Sequence, residues 1–283
     1  MAISIVMATR NALTYLPRAL RSIDAAVGSG RPVEIVAADA SSTDATVSML
    51  MADPRIRLVS TSDTGIYDGM NRAISSALHD FVMILNSDDE LPSGALKTAI
   101  MALNQEPNRA WASGQALFRS AGAPDILRRN QSPLSAEGAM FGIPAINARL
   151  FRRSALMQLG PIRTDLGLAA DREWMLRLAR SGEQGIDIQA PMYIYRMHQG
   201  SSTIAGDKPG RMRVYSAERQ LAAGLSAGAQ ADCEVAQLVR RLDAVAATKQ
   251  KLTRKSDEAL PSVMDAVKGF VLARRWRGVL SGY

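Results

Sequence analysis

Over its first 104 residues the chain repeats one pattern: a short apolar run, then a longer stretch whose apolar positions recur every three or four residues. Ile3 to Ala8 is the first such run, followed by a helix over Leu13 to Ala26 with Leu13, Leu16, Leu20 and Ile23 on one face. Val33 to Ala38 is the second, and Ser41-Ser42-Thr43-Asp44 offers N-cap oxygens for a helix through Val47 and Leu50. Ile56 to Val59 is the third, and the Thr64-Gly65 break leads into a helix over Ile66 to Leu78. Phe81 to Leu85 is a fourth run, ending in Asn86-Ser87-Asp88-Asp89-Glu90, after which Pro92 and Ser93 open another helix. Strands alternating with helices pair in parallel, so the pattern predicts an α/β protein with a mostly parallel, Rossmann-like sheet flanked by helices. In such a sheet ligands bind beyond the carboxyl ends of the strands. Thr9 and Asn11, then Asp39, then Asp88 and Asp89 stand at those ends. Any one of them could simply cap a helix or shape a turn, but one polar group per strand end is less easily read that way.

The rest of the chain is less regular. Trp111 to Phe118 reads as a strand, Ala121 to Pro144 as a loop-rich stretch punctuated by Pro and Gly, and Ala170 to Arg180 as a helix. Beyond Gly206 the sequence is rich in Ala, Gln, Arg and Leu at helical spacing, which places a boundary between residues 1–204 and a helical extension over 205–283.

The net charge of +7 and pI near 9.8 suggest nucleic acid or an anionic membrane as partner. The excess is local. Residues 1–204 carry 20 basic and 19 acidic groups, whereas residues 249–283 carry 8 and 3. A nucleic-acid-binding domain would interleave basic and aromatic residues on its main body, and residues 1–204 hold one lysine, Lys97; the reading is no nucleic acid. In the tail, Val263, Val267, Phe270, Leu272, Trp276, Val279 and Leu280 recur among Lys268, Arg274, Arg275 and Arg277. Such a basic amphipathic helix can lie on an anionic membrane, or dock on the domain over residues 1–204 or on a second copy in a homo-oligomer. Cys233 is the single cysteine, so no intrachain disulfide forms. With neither a signal-peptide pattern nor a membrane-spanning run, the expectation is a cytoplasmic protein, or one peripheral on the inner face of the cytoplasmic membrane.

Asn86-Ser87-Asp88-Asp89 carries the most chemistry. Adjacent carboxylates repel unless a cation or hydrogen-bond donors compensate, and at a strand end they form a hard-oxygen site suited to Mg²⁺ or Mn²⁺ with nucleotide phosphates. Taken with Ser4-Ile5-Val6-Met7-Ala8-Thr9-Arg10-Asn11, Glu34 to Asp39 followed by Ser42-Thr43-Asp44, and Thr64-Gly65-Ile66-Tyr67-Asp68-Gly69-Met70-Asn71-Arg72, the order of motifs resembles a family-2 glycosyltransferase of GT-A fold. More narrowly it is similar to a bacterial subgroup that builds cell-surface polysaccharides and glycolipids. The resemblance extends through Ala170-Asp171-Arg172-Glu173-Trp174 and Tyr195 to Ser202.

That resemblance implies an inverting, metal-dependent enzyme that moves a sugar from a nucleotide-sugar donor to a saccharide or polyprenyl- or other lipid-linked acceptor. Residues 1–104 would be its nucleotide-binding half and 105–204 its acceptor-side half. It places Thr9, Asn11 and Asp39 on the base and ribose, Asp68 and Arg72 on the nucleotide and diphosphate, Asp88 on the ribose, Asp89 on Mn²⁺ or Mg²⁺, and His198 on the metal or diphosphate. Asp171 is the expected general base, with Glu173 as competitor and a helix N-cap as the plainer role for Asp171. The base expected is uracil or another pyrimidine, with guanine open. Three positions depart from the family pattern: Asn86 replaces an aspartate, Ala40-Ser41 stand where glycine is usual, and Ile146-Asn147 stand where His-Gln is common. A sugar-phosphate nucleotidyltransferase is the alternative enzyme, but its Gly-rich basic loop has no counterpart in Thr9-Arg10-Asn11-Ala12.

Overall fold

A computed structural model describes residues 2–198, apart from 29, 61, 123, 129–133, 136–138 and 140–145. The extension over 205–283, with its basic helix and Cys233, and the Gln199 to Ser202 end of the closing segment lie outside the described residues, as does most of the loop expected between Ala121 and Pro144.

The predicted alternation is present almost residue for residue. β1 (Ile3–Thr9), α1 (Leu16–Val27), β2 (Val33–Asp39), α2 (Thr46–Ala52), β3 (Ile56–Ser60), α3 (Ile66–Ser76), β4 (Phe81–Ile84) and α4 (Ala95–Gln105) follow in order. They build a parallel β3-β2-β1-β4 core in which Thr9 lies directly beside Asp39. α2 begins later than the run of hydroxyls suggested, because Asp44 Oδ1 accepts from the Thr46 N–H at 3.0 Å and sets the first turn there.

The second half is more regular than its sequence suggested. β5 (Trp111–Ser120), β6 (Ile126–Arg128), β7 (Arg149–Arg152), α5 (Arg153–Leu159), α6 (Ala170–Arg180) and β8 (Gly185–Met197) complete an eight-stranded sheet. β7 enters antiparallel between β4 and β5, β6 pairs antiparallel with β5, and β8 runs parallel along the other side of β5. The sheet is therefore mixed beyond β4. Two apolar layers cover it: Ile3, Ile5 and Met7 pack under α1, α2 and α4, while Val6, Val36 and Val82 pack under α3, α5 and α6. Among the described residues no helix is long and apolar enough to cross a membrane.

β8 escapes sequence reading because its alternation changes phase. The register against β5 slips between Ser113 and Ala116, where Gln115 faces Pro191 and Ala116 faces Tyr193. Gly114 makes this possible: a Cβ there would stand 2.7 Å from the Ala190 carbonyl oxygen and 2.1 Å from Met192 Cγ. Gly114→Ala is expected to lower stability by about 1–3 kcal/mol through overpacking. In calorimetry that is a drop of several degrees in Tm, and an unchanged Tm would remove the packing argument.

Candidate active site

The carboxyl ends of β1, β4 and β8 surround a cavity of about 700 Å³ lined by Thr9, Arg10 and Asn11, by Ala40 and Ser41, by Asp63 to Ile66, by Asn86 to Asp88, and by Tyr15, Tyr195 and His198. One end is a closed hydrogen-bond network. Asp39, fully buried, accepts from Thr9 Oγ1 at 2.8 Å, from the Ser42 N–H at 2.8 Å and from Ser42 Oγ at 2.7 Å. Asn11 and Ser41, the two non-glycine residues with positive φ among those described, both line the cavity at 47° and 54°. Asn11 is held there by its N–H on Ser42 Oγ at 2.7 Å and by Oδ1 accepting from Thr43 N–H at 2.8 Å. The two left-handed residues thus sit on adjoining, hydrogen-bonded segments of the cavity wall.

At the other end β8 crosses the acidic turn, with Glu90 and Ile194 exchanging backbone hydrogen bonds of 3.1 and 2.8 Å. This crossing separates the two aspartates. Asp88 lines the cavity with Oδ2 3.0 Å from His198 Nε2, and the His198 ring stacks on Tyr15 with centroids 4.3 Å apart. Asp89 is 1% exposed. It accepts from the Tyr193 hydroxyl at 2.5 Å, the Arg196 N–H at 2.7 Å and Asn86 Nδ2 at 3.2 Å. Burial, reinforced by the charge of Asp88, pushes its carboxyl up to about 7. The structure places Asp88 at the cavity beside His198, and Asp89 behind it, where it ties β8 to the turn after β4. Asn147, at the departure from His-Gln, donates Nδ2 to the Tyr193 hydroxyl at 3.2 Å and joins that inner network.

Asp68 and Arg72 do not line the cavity. Asp68 accepts from the Thr64 N–H at 3.0 Å and pairs with Arg72 at 3.3 Å, and the Thr64 bond and then Arg72 hold its carboxyl below the usual range. Arg10 is instead the one Arg or Lys among the described lining residues. Sequence reading passed over it, together with Tyr15 and Asp63; position at the end of β1 was the only signal Arg10 offered.

Asp171 sits half-buried in the first turn of α6, outside the cavity lining, next to α3, whose first residue Ile66 is in that lining. It is not the N-cap; that position is Ala169, which supplies no side-chain cap. Its rival Glu173 is held in a two-point pair by Arg177, with Nε 2.8 Å and Nη2 3.0 Å from its two oxygens. Among the described residues no group of three or more His, Cys, Asp or Glu is gathered to hold a metal unaided.

A buried acid network and an Asp–His pair thus stand at the carboxyl edge of the sheet, the edge at which α/β proteins bind ligands. The model of Glycosyl transferase family 2 matches residues 4–159, more than half of the chain, and the chain belongs to that family. Two uncharacterised glycosyltransferases of Mycobacterium tuberculosis, Rv1514c and MT1564, are each 28% identical over 181 residues, covering 62% of this chain and 68% of theirs. Among solved structures, Staphylococcus aureus TarS in complex with UDP-GlcNAc superposes with a TM-score of 0.65 at 16% identity, over 84% of this chain and 70% of that one. TarS in complex with UDP gives 0.60 at 15%, over 84% and 69%. The fold is GT-A and the class is glycosyltransferase, as the motif order implied. That membership leaves the nucleotidyltransferase and nucleic-acid readings without support.

Proposed function

We propose that this chain is an inverting glycosyltransferase that moves a sugar from a nucleoside diphosphate sugar, a UDP-sugar in the first instance, to a hydroxyl of a saccharide or lipid-linked acceptor in the making of cell-surface polysaccharide or glycolipid. The observation that carries the reading is the polarity of the cavity: Thr9 and Asn11 at one end, with the buried Asp39 bracing Thr9 from behind, the Asp88–His198 pair at the other, and Arg10 on the wall. A volume near 700 Å³ suits a ligand of that size.

Asp88 and His198 fit a divalent cation as partial ligands. Mg²⁺ or Mn²⁺ commonly takes one or two protein donors and completes its shell with phosphate oxygens and water, which agrees with the lack of a larger donor cluster among the described residues. When bound, the cation would neutralise charge on the leaving diphosphate. Arg10 adds a fixed positive charge to the same cavity. The acceptor oxygen attacks the anomeric carbon as the bond to the diphosphate breaks, the bonding pair leaves with the nucleoside diphosphate, and a carboxylate oxygen of Asp171 takes the hydroxyl proton. Glu173 is less suited to that role because Arg177 holds both of its oxygens. The basic C-terminal segment would bring the chain to an anionic membrane surface, where lipid-linked acceptors reside.

A thermal-shift panel of nucleoside diphosphates with and without Mn²⁺ tests this reading. UDP is expected to stabilise the protein most, by about 2.7 kcal/mol at a hundredfold excess over its Kd, and to do so more strongly with Mn²⁺ present. If no nucleoside diphosphate raises Tm under either condition, the proposal fails.

A further inference from the structure

The segment Gly65 to Arg72 stood out in the sequence, yet only its first two residues line the cavity. Asn71 faces the other way. Its Nδ2 donates to the Ile162 carbonyl at 2.7 Å and its Oδ1 accepts from the Ile162 N–H at 2.8 Å. A carboxamide that meets both backbone groups of one residue reproduces a strand-like pair and fixes orientation as well as distance. Ile162 is 2% exposed, so both of its backbone groups need such a partner.

α6 grips the same short stretch of chain. Trp174 Nε1 donates to the Gly160 carbonyl at 3.0 Å, and Arg177 donates to the carbonyls of Leu159 at 2.6 Å and Pro161 at 2.7 Å. Residues 159–162 are thus a bracket shared by α3 and α6. Tyr67 lies one turn before Asn71 on the same face of α3, and it packs on the apolar cluster that contains Ala170 and Trp174. Burial, and then the charge of Asp171, push the Tyr67 hydroxyl well above its ordinary pKa, and the nearby Asp171 backbone offsets part of that rise.

We infer that Tyr67 and Asn71 are positioning residues that hold the first turn of α6, and with it Asp171, in register with the donor cavity. The inference rests on the reading of Asp171 as the general base. One end of α3 lines the cavity through Gly65 and Ile66, Tyr67 follows in the same turn, and Asn71 in the next carries the contact to Ile162. The helix is therefore a rigid spacer between donor and base. A displacement of about 1 Å at a reacting group can cost 10²-fold in rate, so two contacts far from the sugar control turnover without touching substrate.

The test uses the full chain and four variants: Tyr67→Phe, Asn71→Ala, Asn71→Asp and Asp171→Asn. Each is assayed for UDP release from the UDP-sugar that the unaltered chain turns over fastest, for KM, for UDP affinity and for Tm. Tyr67→Phe is expected to lower kcat roughly tenfold and Asn71→Ala about 10- to 100-fold, with KM and UDP affinity within about twofold. Asn71→Asp, which still accepts from the Ile162 N–H but no longer donates to its carbonyl, should fall between the unaltered chain and Asn71→Ala. If Asp171→Asn abolishes turnover while Tyr67→Phe and Asn71→Ala keep full kcat, the positioning role is overturned and the base assignment stands. If Asp171→Asn is fully active, the base assignment fails and the positioning role with it. A parallel loss of kcat, UDP affinity and Tm in the α3 variants marks a general folding role and also overturns the inference.

Discussion

Replacing Asp171 with Asn is expected to reduce transfer by about 10²- to 10⁴-fold, the usual contribution of a positioned general base, while UDP binding stays within about twofold. The amide has nearly the shape of the carboxylate but cannot take the acceptor proton. Asp171 is also outside the cavity lining, so donor binding has no direct dependence on it. Its Oδ1 accepts from the Arg172 N–H at 2.7 Å, a contact that asparagine can keep through its own oxygen. The measurement is kcat for transfer beside a UDP titration of the same preparation. Glu173→Gln is the control: it opens the pair with Arg177, whose i,i+4 spacing makes it worth about 0.3–0.5 kcal/mol when solvated, and should leave most of the rate. The reverse pattern, an active Asp171→Asn and an inactive Glu173→Gln, would transfer the role to Glu173.

The second large effect separates the adjacent aspartates. Asp88→Asn is expected to make the stabilisation of the protein by UDP independent of Mn²⁺ and to lower transfer on the order of 10²-fold, since charge stabilisation by a metal is worth several kcal/mol and each 1.36 kcal/mol is tenfold. Asp89→Asn should retain the Mn²⁺ dependence. Its carboxyl is buried under Tyr193 and the Arg196 N–H, away from the cavity lining; an amide there keeps one accepting oxygen and sets its NH2 against the donors at the other, so the variant is expected to lose Tm rather than metal dependence. Thermal shifts of both variants with UDP, with and without Mn²⁺, decide the matter. Loss of the metal effect in Asp89→Asn and its survival in Asp88→Asn would restore the expectation drawn from the motif alone.

How much of this was legible in the sequence differs between the two halves. β1 to α4 were readable because each element carries its own signal: buried runs such as Phe81 to Leu85, and three- and four-residue spacing such as Leu16, Leu20 and Ile23. Thr9 and Asn11, which line the cavity, were legible because they stand at and just past the end of a parallel strand; Asp39, at the end of the next, lies buried behind them. β7 was hidden because Arg149 and Arg152 bracket only two apolar residues, and the arginine at its start is buried. β8 was hidden by the phase change at Pro191, and it is β8 that delivers Tyr193, Tyr195, Arg196 and His198 to the acidic turn.

The chain's local chemistry alone determines the α/β alternation, the edge at which ligands bind, the acidic turn after β4 and the family to which these belong. Periodicity and strand-end polarity are properties of neighbours in sequence. Which aspartate meets the cavity and how α3 is tied to the chain before α6 are decided by contacts across long separations: Tyr193 with Asp89, His198 with Tyr15 and Asp88, Asn71 with Ile162. Asp88 and Asp89 are chemically identical and adjacent in the chain, and only the strand that crosses above them buries one and leaves the other facing the cavity.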